Sequence, residues 1–327
     1  MNRRWCVRVS ASVLLFVVPL ATAGCAPQAG PSVFPSAPQV APMQLRVRLM
    51  VGGKAVIRRV ALEDYVRGSI ISEFAPASGD AKVVGRMLEV QAVLSRTYAV
   101  SHLGRHARDG YDLCATTHCQ LYEPTRLSAS RWAPAAEQAV RRTARSVLWF
   151  ERDAAATLFH ADCGGHTSTP TTIWGGVGHP YLRAIADDGP AKAAHASWRY
   201  AASDDAIRLA LNADSRTTIG SRLTEIAVAE RDEAGRAVRV RIKGQHTREV
   251  RGEVLRDALT RAFGARAIRS TWFSVRQARA TWVFEGRGFG HGAGLCQAGA
   301  LARITAGSSP SAVLLHYFPG TRLTVLR

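Results

Sequence analysis

The feature that most constrains this fold is an apolar stripe at helical spacing: Met87, Leu88, Val90, Val93, Leu94, Tyr98 and Val100, uninterrupted by glycine or proline. Asp80 or Ser78 can cap such a helix at its start, and Gly104 can stop it. Gln91, Ser95, Arg96 and Tyr98 fall on or beside the face to be buried, and each alone reads as a structural group. Just upstream, Glu73 follows the run Gly68-Ser69-Ile70-Ile71-Ser72 and precedes Phe74-Ala75-Pro76. Pro76 disfavours helix before it, which places Glu73 where an element breaks. A carboxyl between Ile71 and Phe74 is partly desolvated, and its pKa rises toward that of a usable proton donor. The competing reading is a solvated glutamate at a helix end.

A chain of 327 residues, 47% hydrophobic, can bury a sizeable core in one large domain or two. Forty-three Lys and Arg against 25 Asp and Glu give a net charge of +18, scattered rather than run together. Such a surface suits an anionic polymer or lipid; no helix-turn-helix, zinc-finger or aromatic RNA-binding pattern accompanies it, so nucleic acid is not expected. The first 24 residues read as a lipoprotein-type signal peptide: Arg3, Arg4 and Arg8, then the apolar run Val13–Leu20, then Thr22-Ala23-Gly24-Cys25. Lipidation of Cys25 would anchor the chain at the cell envelope, with residues 25–43, rich in Pro, Ala and Gln, as a tether; plain cleavage is the alternative. The folded part is then 44–327, with 190–265 as a smaller lobe.

Gln44–Leu49 and Val56–Val60 alternate around Gly52-Gly53 as a hairpin. Residues 133–146 read as a helix, followed by strand-like Val147–Glu151 and Thr157–Phe159. In the smaller lobe Ile207–Leu211 and Val254–Phe263 look helical, Thr224–Glu230 pairs with Ala237–Lys243, and Ile268–Phe273 begins a strand. His106, Cys114, His118 and Cys119 lie close enough in sequence to hold Zn²⁺. Without the leader and Cys25, four cysteines remain (Cys114, Cys119, Cys163 and Cys296), and a disulfide or free thiols compete with metal. His160, Cys163 and His166 form a second candidate metal set, against the reading of a plain polar turn. Near the C-terminus, Glu285-Gly-Arg-Gly-Phe-Gly-His-Gly-Ala-Gly-Leu-Cys-Gln297 is too glycine-rich for ordinary structure and lacks phosphate-loop spacing. Its glycines permit close backbone approach, leaving Arg287, His291 and Gln297 as the chemically competent groups.

These blocks resemble the SpoIID/LytB family of cell-wall proteins. Glu63 and Tyr65 match the opening of its pattern, Gln91-Ala92-Val93 and Arg96-Thr97-Tyr98-Ala99 its helix, and Cys163-Gly164-Gly165-His166-Thr167 its glycine–histidine run. Arg287-Gly-Phe-Gly-His-Gly and Gly294-Leu-Cys-Gln297 match its C-terminal motif, with Phe289 for Trp and Cys296 for Ser, and His316-Tyr-Phe-Pro-Gly-Thr321 its close. The catalytic turn departs, with the proline one place late at Pro76, but Glu73 is kept.

The resemblance implies an α+β fold, antiparallel strands around a central helix with a smaller lobe. It also implies a lytic transglycosylase that cleaves peptidoglycan glycan strands, peptide-free ones included, to 1,6-anhydro ends. Glu73 would be the acid/base, and Arg96, Tyr98, Arg287, His291 and Gln297 would orient sugar or brace Glu73. Some members bind zinc near the cleft, which bears on His106, Cys114, His118 and Cys119. A second reading is a non-catalytic, glycan-binding enhancer of a cell-wall amidase. A third is a zinc hydrolase built on Cys114, His118, Cys119 or His166.

Overall fold

A computed structural model describes residues 43–187, 189 and 195–326. The leader, Cys25 and the tether up to residue 42 lie outside the described residues. The chain is α+β. It starts with a hairpin, β1 (Gln44–Val51) and β2 (Lys54–Ala61), turned by Gly52 and Gly53 at φ 57° and 78°, the left-handed values a tight two-residue turn requires. Helix α1 (Leu62–Glu73) ends at Glu73, and the Phe74 amide closes its last turn on the Ile70 carbonyl. Helix α2 (Ala81–Ser101) starts where Asp80 caps the Val83 amide.

The stripe is less than what the structure buries. From Met87 to Ala99 every residue of α2 is buried, so the helix runs through the molecule rather than along it. One core lies on one side, with Val84, Leu88, Ala92 and Ala99 against Tyr65, Ile70 and Val140. A second lies on the other, with Met87, Val90, Val93 and Leu94 against Leu148, Leu295 and Leu314.

Around α2 stand β3 (Leu113–Cys114), α3 (Pro124–Ala129), α4 (Ala133–Arg142), β4 (Ser146–Phe150), β5 (Asp153–Ala154), β6 (Phe159–His160) and α5 (Pro170–Trp174). Within the expected α+β arrangement, α2 has α1 and α4 on one side and later helices on the other, with β4 and β5 also packed against it. The helix begun at residue 133 stops at Arg142; the Thr143 amide closes its last turn on the Ala139 carbonyl, and Arg145 at φ 60° turns the chain toward β4.

The smaller lobe contains β7 (Trp198–Ser203), α6 (Asp204–Asn212), β8 (Leu223–Arg231), β9 (Ala237–Gly244), β10 (Thr247–Arg251), α7 (Gly252–Phe263), β11 (Phe273–Ala278) and β12 (Thr281–Gly286). β8, β9 and β10 form one antiparallel sheet, and β11, β12 and β7 another. Their shared core runs from Trp198 to Phe284, so this lobe reaches past the expected boundary at 265. The shift has a simple cause: β12 lies between β11 and β7, and a lobe ending at 265 would leave β7 without its partner.

The chain then returns to the first body as β13 (Leu295–Cys296), α8 (Gln297–Thr305), α9 (Pro310–Tyr317) and β14 (Arg322–Val325). β13 pairs in parallel with β6, setting Cys296 opposite His160. Asp162 also bridges Phe289, and Ser168 bridges Ala293. The two glycine–histidine motifs thus cross each other, and the crossing explains the glycines. Gly294 has φ 72°, and a Cβ there would lie 2.1 Å from the Leu158 carbonyl oxygen. Gly294→Ala should therefore cost about 1–3 kcal/mol and lower the melting temperature, as thermal denaturation would show.

Candidate active site

The polar residues of α2 each hold a different neighbour. Arg96, fully buried, makes a two-pronged pair with Glu63 (Nε–Oε1 2.9 Å, Nη2–Oε2 2.7 Å) and donates to the Ser146 carbonyl at 3.1 Å. The Thr97 hydroxyl donates to the Val93 carbonyl and accepts from the Leu148 amide. Gln91 accepts a hydrogen bond from the Gln297 amide at 3.0 Å. The same Gln297 amide reaches the Glu73 carbonyl at 3.2 Å, so α2, α8 and the end of α1 meet at one point.

Beside that point opens a cleft of about 790 Å³. Glu73, Tyr98 and His102 line one part of it, and Phe159, His160, Phe289 and His291 another. Trp174, Val177 and His179 stand toward its rim, Trp174 and Val177 exposed to solvent. Among the described residues, Glu73 is the one carboxylate that lines the cleft. Its Oε1 accepts the Leu121 amide at 2.6 Å. Burial lifts its pKa from 4.5 to about 7, against the opposing pull of that amide. At neutral pH the carboxyl is therefore poised between donor and acceptor.

Tyr98 stacks on His102 with ring centroids 4.0 Å apart. Burial raises the Tyr98 phenol to about 12, so it stays protonated and can donate. His291 is half-buried, and its Nδ1 accepts the Ala293 amide at 3.0 Å, leaving its proton on Nε2. Burial, with Arg256 and Arg236 nearby, pushes its pKa down to about 3, so it works as a neutral ring.

The expected site residues separate into two groups. Glu73, Tyr98, His291 and Gln297 come together at the cleft. Arg96 does not: with its guanidinium buried against Glu63 and Ser146, it cannot touch sugar, and it ties α2 to α1 and β4 instead. Arg287 is also elsewhere, stacked 3.9 Å over the Trp272 ring on the exposed edge of the smaller lobe. His102, Trp174 and His179 were missed by sequence reasoning. The available signals were Trp174 before Gly175-Gly176, a run that continues the family pattern, His179 after Gly178, and His102 one turn beyond Tyr98.

The His106, Cys114, His118 and Cys119 set converges. Its four donor atoms lie within 4.8 Å of one another. His106 Nε2 is 3.2 Å from Cys119 Sγ, and His118 Nδ1 is 3.6 and 3.7 Å from the Cys114 and Cys119 sulfurs. Tetrahedral Zn²⁺ with bonds of about 2.0–2.3 Å spaces its ligands by roughly 3.3–3.8 Å, so this donor set fits zinc. Four protein ligands leave no open position, which suits a structural ion and not the hydrolase of the third reading. His166 does not join them; its Nδ1 lies 2.6 Å from the Thr167 carbonyl. It is also absent from the second set, where Cys296 takes its place beside His160 and Cys163. The periodicity around His166 gave no hint of this, because the partner lies 133 residues away from Cys163.

Comparison with known proteins gives a consistent picture. Residues 51–150 match the family profile described as stage II sporulation protein (SpoIID), and residues 190–294 match a domain of unknown function. An uncharacterised protein of Brachyspira hyodysenteriae is 28% identical over 271 residues, covering 81% of this chain and 67% of that protein. The amidase enhancer of Bacillus subtilis is 25% identical over 279 residues, covering 72% of this chain but only 38% of its own length. Stage II sporulation protein D of the same organism is 23% identical over 281 residues, covering 82% and 76%.

Proposed function

This chain belongs to the SpoIID family, and from that premise we propose that it is a lytic transglycosylase acting on the glycan strands of peptidoglycan. The observation that supports this reading is a single carboxyl, lifted to about 7, among the described residues that line a long open cleft. Glycosidases that use water flank the scissile bond with two carboxylates. One suffices if the substrate supplies its own nucleophile. Protonated Glu73 gives its proton to the oxygen bridging two sugars, and the C1–O bond breaks. The C6 hydroxyl of the muramic ring then closes on C1, and the Glu73 carboxylate takes the hydroxyl proton. The product is a 1,6-anhydro end, and the acid is regenerated without water.

Tyr98, as a persistent donor, and neutral His291 are placed to hydrogen-bond the sugar, while exposed Trp174 offers an apolar face to a ring. Gln297 grips the Glu73 backbone and so positions the acid without touching the bond that breaks. Zinc held by His106, Cys114, His118 and Cys119 would stiffen the loop whose Leu121 amide sets the Glu73 carboxyl. Export of the chain and lipidation at Cys25 complete the proposal, since the substrate lies outside the membrane.

A second reading is supported by the likeness to an amidase enhancer: the cleft binds glycan and presents it to a cell-wall amidase. The two part company in one experiment. Purified chain and its Glu73→Gln variant are incubated with peptide-free glycan strands, and the products are weighed by mass spectrometry. Anhydro ends from the parent alone support the enzyme; strands left intact by both, yet bound by both, support the enhancer.

A further inference from the structure

We infer that His160, Cys163 and Cys296 form a second zinc seat, distinct from the His106 cluster, which clamps the crossing of the two glycine–histidine motifs beneath the cleft. The three donor atoms lie within 4.8 Å of one another. All three residues are buried, His160 at 4% exposure and both cysteines at 0%. Burial of this kind is costly for a polar ring with an unsatisfied atom. The His160 Nδ1 lies 3.1 Å from the Ala293 carbonyl, which can only accept, so Nδ1 carries the proton. That leaves a lone pair on Nε2, and Nε2 has no partner among the described residues. A ring fixed through Nδ1–H on a backbone carbonyl, with Nε2 free, is how metal-binding histidines are commonly held.

The sulfurs are prepared in the same way. The Cys163 and Gly299 amides point at Cys296 Sγ from 3.2 and 3.3 Å, and the Gly165 amide points at Cys163 Sγ from 3.4 Å. Burial by itself holds the Cys296 thiol protonated, its pKa well above the usual value; the N–H groups aimed at sulfur would support the thiolate once a cation is bound. Two thiolates and one neutral imidazole are soft, borderline donors that suit Zn²⁺, and its charge would cancel theirs. The ligands join separate stretches of chain, β6 with its following loop and the start of α8, next to Gln297. Metal here would fix the residue that braces Glu73. The inference does not rest on glycan cleavage.

The test is metal content. The full chain, produced in zinc-supplemented medium and freed of loose metal, should carry two zinc ions by inductively coupled plasma mass spectrometry. Cys114→Ser/Cys119→Ser should retain one, and Cys163→Ser/Cys296→Ser should also retain one. Cobalt substitution should give a thiolate-to-metal absorption band that persists, weakened, in each double variant and is lost only when all four cysteines are replaced. A wild-type chain whose single zinc vanishes in Cys114→Ser/Cys119→Ser overturns the inference. So does a non-reduced intact mass lower by two hydrogens with Cys163 linked to Cys296. A single zinc that survives there upholds it and removes the His106 site instead. The wild-type count and mass need no variant to fold.

Discussion

Glutamine at position 73 is expected to lower the rate of anhydro-end formation by about 10²–10⁴-fold, the usual worth of a positioned general acid–base. Strand binding should change little, because Gln can still accept the Leu121 amide that holds the native carboxyl. The parent rate should fall as pH rises through about 7, since the first step needs protonated Glu73. Stability should move in a linked direction. The folded carboxyl holds its proton more tightly than the unfolded one, so its contribution is favourable below about 4.5 and is lost as pH rises through about 7. The shift corresponds to roughly 3 kcal/mol as an upper bound, reduced by the partial solvent access of the group. Glu73→Gln should therefore be less active yet more stable than the parent at pH 8, with the stability gap closing at pH 4.5. Chemical denaturation at the two pH values measures it; an unchanged gap would mean that the carboxyl is not desolvated. Gain in stability on loss of a catalytic group is common where a site holds a strained charge.

Arg96→Ala should have the largest effect on the fold itself, a loss of about 3–5 kcal/mol. The substitution leaves Glu63 without its two-pronged partner and strips the Ser146 carbonyl of a donor inside the first core. Glu63 also accepts the Arg145 amide at 3.1 Å, so the loop before β4 should loosen with it. Urea titration would give the loss, and the midpoint should fall without a change in slope if the native state stays compact. Arg96→Lys should recover only part, because an ammonium cannot make the paired geometry. Were Arg96 instead a sugar contact, the alanine variant would keep its stability and lose substrate.

Much of this was legible along the chain. The hairpin at Gly52-Gly53, the end of α1 at Glu73 and the β8–β9 pairing all follow from local rules of turns, proline and alternation. Glu73 was readable as a perturbed acid because its greasy neighbours are adjacent in sequence, and the structure carries its pKa to about 7. The His106 cluster was readable because its ligands fall within fourteen positions of one another. Arg96 reads as structural by itself and was drawn to the site by the resemblance alone: a polar residue on a motif helix looks the same from sequence whether it faces a ligand or Glu63, which lies 33 residues back. The smaller lobe was cut short because the partner of β7 comes from a strand some eighty residues later.

By itself the sequence determined where elements start and stop, which acid sits in apolar company and which stretches can pass close to another backbone. Those are effects of neighbouring residues, and a chain written in order displays its neighbours. Only tertiary structure decided that α2 would be buried on every side from Met87 to Ala99, that Gln297 would grip Glu73 from 224 positions away, and that Cys296 rather than His166 would stand beside His160. Burial and hydrogen-bond satisfaction depend on distance in space, and the crossing of two loops is set by the packing of all the rest.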